Sequence, residues 1–66
     1  MKYLIERLDQ DEPLFFDSRA YKWRPQPVET TYYKTEDRAH RAIPRLAKTY
    51  LGGDASQLRL VEVDDA

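Results

Sequence analysis

The chain contains no cysteine. That excludes a disulfide framework, a thiolate nucleophile and a cysteine-ligated zinc. His40 is its one histidine, and no clustered carboxylate stands beside it at ligand spacing, so neither a metal site nor a histidine-centred catalytic group is expected. Glycine is nearly absent. The two present, Gly52 and Gly53, follow a helical pattern instead of preceding one, so they read as a helix stop and not as a phosphate-binding loop. Long apolar runs are missing as well. Stretches such as Leu14-Phe15-Phe16 fall far short of the roughly 20 residues that span a bilayer. The opening MKYLIERLDQDE turns acidic too soon for a signal peptide, so a cytoplasmic protein with no membrane partner is expected. Clusters of Gly, Ser and Pro are too few for disorder over most of the length.

What is present suits one small domain, residues 1–66. Hydrophobic residues make up 41% and charged residues 35%, enough for one modest core under a well-solvated surface. Domains of this size usually need a staple or a partner. Covalent and zinc staples being absent, a binding partner or a homodimer is expected.

Lys2 to Leu8 reads as a strand, with Leu4 and Leu8 at even spacing. Asp9 to Pro13 is a loop and Leu14 to Asp17 a second strand. Ser18 and Arg19 make a tight turn, and Ala20 to Arg24 is a third strand with Tyr21 and Trp23 on one side. Pro25 and Pro27 then stiffen an extended connection. Val28 to Lys34 reads as a short fourth strand or an extended lead-in. Thr35, Glu36 and Asp37 carry the signals of a helix start, a hydroxyl cap followed by two acids in the first turn. Ala39, Ala42, Ile43, Leu46, Ala47, Tyr50 and Leu51 then recur at helical spacing, the strongest periodic signal in the chain. Pro44 lies inside that pattern and predicts a kink. Gln57 to Val63 is a final strand and Asp64-Asp65-Ala66 an acidic, frayed end.

The fold class that follows is α+β: a small antiparallel sheet of three to five strands packed on one kinked helix. Tyr3 or Leu4, Phe15 or Phe16, Trp23, Leu58 and Leu60 would face the helix. The uncovered face would carry Tyr3 and Ile5 or Leu4 and Leu8, with Val61 and Val63, and is the expected dimer surface.

A net charge of −1 conceals a division. Residues 19 to 48 hold eight bases against three acids, and the remainder holds nine acids against three bases. On the helix, Arg38, Arg41, Arg45 and Lys48 recur at spacings of three, four and three, a basic line that a polyanion or an acidic protein surface would complement. An outer helix face is also ordinarily charged, and Asp37 stands four residues before Arg41 in the favourable order. The line therefore has two readings, a solvated face and a binding surface. Asp9, Asp11, Glu12 and Asp17, with Asp64 and Asp65, would form an opposing acidic rim. Tyr32 and Tyr33 lie within the basic segment; one is expected in the core and the other as an exposed contact.

Tyr3-Leu4-Ile5, Phe15-Phe16, Tyr21-Lys22-Trp23, Thr31-Tyr32-Tyr33-Lys34-Thr35-Glu36 and Val61-Glu62-Val63 together resemble the small single-domain proteins encoded in phage and prophage accessory regions. Pro44 and the basic line depart from that pattern, and no functional residue carries over. The resemblance implies a counter-defence inhibitor, of the anti-CRISPR kind, that occludes a host protein such as a nucleic-acid-processing effector. Residues and resemblance thus point to a non-catalytic protein-binding module with no cofactor. The alternative is a nucleic-acid-binding regulator using the basic helix face. No catalytic residue is expected.

Overall fold

The computed structural model describes residues 1–64. Its helix, α1, spans Glu36–Tyr50 and forms where the apolar period is strongest. The Thr35 side chain accepts a hydrogen bond from the Arg38 N–H at 3.2 Å, capping an otherwise unsatisfied donor. Beyond Tyr50 the chain turns away through Gly52 and Gly53, at φ +62° and +93°, values that side-chain-bearing residues rarely adopt. The Gly53 N–H closes the end on the Ala47 carbonyl. Pro44 does not split α1, which continues unbroken through it. The proline side chain lies on the solvent side, so water can reach the His40 carbonyl that Pro44 leaves without its usual partner.

Among the described residues four strands form one antiparallel sheet: β1 (Lys2–Arg7), β2 (Leu14–Asp17), β3 (Lys22–Arg24) and β4 (Leu58–Val63). Their spatial order is β3-β2-β1-β4, so the first and last strands of the chain lie side by side at its centre and edge. The β1–β4 pairing is the longest, running from Lys2 opposite Val63 to Arg7 opposite Leu58. The fold class is therefore the expected α+β.

Register decides which side chains meet the helix. Ile5 pairs with Leu60 and Phe16 with Trp23, and alternation places all four on the helix side. Ile5, Phe16 and Leu58 pack with Ala39, Ala42, Leu46 and Ala47 as the buried core. Small alanines bring α1 close to the sheet. Tyr3, Trp23 and Leu60 complete the contact as partly buried neighbours. Of the pairs left open by sequence, Tyr3 faces inward rather than Leu4, and Phe16 rather than Phe15. Ile5, absent from the expected inward set, is fully buried.

Several expectations need correction. β1 ends at Arg7, and Leu8 is exposed, so Leu4 and Leu8 do not share a buried strand face. β3 begins at Lys22 because the turn after β2 extends through Tyr21, which adopts φ +54°. Residues 28–34 form neither a strand nor a simple extended arm. Glu29–Thr31 is a 3-10 turn, followed by a single bridge in which Tyr33 and Tyr3 exchange hydrogen bonds of 2.7 and 3.0 Å. The last strand begins at Leu58 and not at Gln57, because Ala55–Gln57 is a second 3-10 turn.

The sheet face away from α1 is not bare. The Glu29–Thr31 turn packs against β2. Its Thr31 is fully buried, as is Asp17 on that face. Leu4, on the same face, is buried within the monomer. Val61 and Val63 remain half-buried there.

Candidate functional site

The clearest concavity runs along the seam between α1 and the β2–β3 turn. Two compartments meet in it and share Ser18, Tyr33, Ala42 and Arg45. The deeper compartment, about 250 Å³, has an apolar floor of Phe16, Leu46 and Tyr50, with Tyr21 and Thr49 at its mouth. The wider, more open compartment, about 440 Å³, is bordered by Tyr32, Lys34, Arg38 and Arg41.

The floor rests on an aromatic cluster. Behind it the Trp23 ring meets Phe16 at 5.2 Å and Tyr50 at 5.5 Å between centroids, both edge-on, an arrangement aromatic quadrupoles favour. Arg7 lies over the far side of the Trp23 ring at 5.4 Å.

The basic line is reshaped by the helix. At about 100° per residue, Arg38 and Arg45 fall within about 20° of each other, on the flank that borders the groove. Arg41 and Lys48 turn further outward, about 60° and 80° round from Arg38. The structure thus brings Arg38, Arg41 and Arg45 to the groove, and Lys34 joins them; Lys48 lies outside it. Arg41 makes an i,i+4 ion pair with Asp37 at 3.1 Å, in solvent. Lys34, Arg38 and Arg45 have no ion-pair partner among the described residues.

Tyr33 takes the core role expected of one of the two tyrosines, packing against the cluster while lining both compartments. Burial pushes its phenol above the ordinary tyrosine range, and the neighbouring Arg45 charge pulls the other way. Tyr32 is half-buried, with the Lys2 ammonium 5.0 Å from its ring centroid.

The acidic rim divides. Asp9 is held by the Arg7 guanidinium through two hydrogen bonds, and Asp11 and Glu12 are exposed in the same loop. The Leu8 N–H bonds the Gln57 carbonyl at 2.8 Å, tying the start of this loop to the turn that follows Asp54. Asp17 is not part of any rim. It is buried, and its carboxylate accepts from the Arg24 Nε at 2.6 Å and from the Arg19 and Ala20 N–H groups at 3.1 Å. The Arg24 charge and these donors hold its pKa far below the carboxylate range. Asp17 organises the turn that presents Ser18 and Tyr21 to the groove. Asp65 lies outside the described residues.

Sequence reasoning missed Tyr21 and Tyr50 as groove residues. Tyr21 was expected beside Trp23 on a strand; its positive φ turns it out to 77% exposure instead. Tyr50 carried the helical stripe's signal and reads there as core. No local pattern marks Ser18 or Lys34.

Among the described residues no group of three potential ligands could hold a metal ion, and no helix is long and apolar enough to cross a membrane. Comparison with protein-family models, curated proteins and solved structures finds no match to this chain.

Proposed function

We propose that this chain is a non-catalytic protein-binding module that seats an acidic surface of its partner against the groove between α1 and the β2–β3 turn. One observation carries the reading: three bases, Lys34, Arg38 and Arg45, border one concavity without an internal acid to neutralise them. Tyrosines surround them, and Tyr and Arg are the residue types that most often anchor interfaces. Charge complementarity would speed the encounter, and buried aromatic contacts would hold the complex. In an inhibitor of the phage accessory kind, the surface so covered would be one that a host nucleic-acid-processing effector needs in order to work.

A nucleic-acid partner is the second reading, favoured by the tyrosines interleaved with arginines. The extent of the basic patch counts against it. From Arg38 to Arg45 is seven residues, about 10 Å along the helix axis. Sequence-tolerant single-strand binders track at least four nucleotides or so, and the residues outside 19–48 are net acidic.

The test pairs capture from the native host with mobility shifts. A protein captured by the native chain and lost with Arg38→Glu/Arg45→Glu, in a variant whose circular dichroism is unchanged, supports the proposal. A low-salt shift of DNA or RNA that the same variant abolishes, with no protein captured, overturns it in favour of the second reading.

A further inference from the structure

The two compartments differ in chemistry, and their junction constrains what can occupy them together. The deep one is apolar at its floor, where Phe16, Leu46 and Tyr50 meet, and at about 250 Å³ it is smaller than the roughly 300–1,000 Å³ of small-molecule sites. The open one is bordered by cations. Arg45 and Tyr33 belong to both. An occupant of both must therefore carry a single large apolar group with negative charge close beside it.

We infer that the groove receives a short acidic segment of the partner protein in extended form. One large apolar side chain, aromatic or leucine-like, enters the pocket over Phe16, Leu46 and Tyr50, while flanking carboxylates meet Lys34, Arg38 and Arg45. This rests on the protein-binding reading above and specifies the partner's local chemistry.

The dimensions agree. An extended chain advances about 3.3 Å per residue, so three or four residues cover the basic stretch between Arg38 and Arg45. Alternate side chains of such a segment point to opposite sides, so with the apolar residue facing the pocket it is the carboxylates two positions away, not its immediate neighbours, that face the same surface and meet the cations. Arg38 and Arg45, which lack internal partners, present planar forks suited to carboxylates. The pocket floor is backed by Trp23 through its edge-on contacts with both Phe16 and Tyr50, which favours a preformed site.

Trp23 is also the chain's single tryptophan and so reports directly on the floor. The probes are the end-blocked pentapeptide Asp-Glu-Phe-Asp-Glu and its analogue with Ala at the centre, titrated in low salt. The readouts are Trp23 fluorescence and the amide resonances of Ala42, Leu46 and Thr49. The Phe peptide should bind about tenfold to a hundredfold more tightly than the Ala peptide, the advantage expected for burying one such side chain. Arg38→Glu/Arg45→Glu should abolish binding of both. Thr49→Phe, which closes the mouth from an exposed position, should erase the difference between them.

Equal affinity for the two peptides, with both lost in the charge-reversed variant, overturns the apolar anchor but leaves the acidic-surface reading standing. No response to either peptide at millimolar concentration, together with a shift on oligonucleotides, overturns both. The comparison of the two peptides on the native chain needs no variant to fold.

Discussion

Pro44 stands ninth in a fifteen-residue helix, with its side chain in solvent, so replacing it by alanine is expected to stabilise the domain. Proline in a helix interior costs about 3 kcal/mol relative to alanine, through the lost hydrogen bond and the clash of its ring with the preceding turn. Alanine is freer than proline in the unfolded chain, which returns about 0.4–1 kcal/mol to that state. The net gain is therefore about 2 kcal/mol. No cavity forms, because the removed ring atoms touch solvent and not the core. For a domain of this size, whose total stability is roughly 3–10 kcal/mol, that is a large fraction. At about 4–8 °C per kcal/mol, the melting temperature should rise by about 8–16 °C. Thermal and urea denaturation, followed in parallel by far-ultraviolet circular dichroism and Trp23 fluorescence, measure it. An unchanged or lowered melting temperature would refute the reasoning. It would mean either that α1 accommodates the proline without its ordinary cost, or that the Pro44 ring makes a stabilising contact of its own.

Other consequences of the structure are open to direct measurement. Asp17, whose pKa is depressed by Arg24 and the turn amides, contributes stability that is present above the ordinary carboxylate pKa of about 4 and lost as pH falls below it toward the folded-state value. Denaturation midpoints should therefore decline in acid below about pH 4, and Asp17→Asn should flatten that decline while lowering stability at neutral pH; parallel curves would sink the assignment. Tyr21→Gly relieves a left-handed backbone costing about 1–2 kcal/mol for a side-chain-bearing residue, against about 0.5–1 kcal/mol for the extra freedom of glycine. It should leave stability unchanged or raised by about 1 kcal/mol while weakening the Phe-peptide interaction; a clear loss of stability would show that the exposed ring packs. Ile5→Ala empties a fully buried core position and should cost about 2–5 kcal/mol, leaving much of the population unfolded by calorimetry; a cost below about 1 kcal/mol would contradict the placement of Ile5 under α1.

Local pattern by itself determined α1, its cap at Thr35, its stop at Gly52 and the α+β class. A helix bonds each residue to one four positions away, so its period and its ends are written in contiguous sequence. The strands were legible as elements, but not their inward faces. Tyr3-Leu4-Ile5 is apolar in both phases, and a shift of one residue exchanges the two sides. Only pairing with β4 and β2 resolved that phase, since strand partners are distant along the chain. The same reason hides the groove. Ser18 and Tyr21 meet Arg38 and Arg45 through the closure of the sheet against the helix, and the turn that carries them depends on a carboxylate, Asp17, that sequence alone placed on an exposed rim. Charge segregation could be counted from composition; which of those charges remained without an internal partner was decided by tertiary contacts.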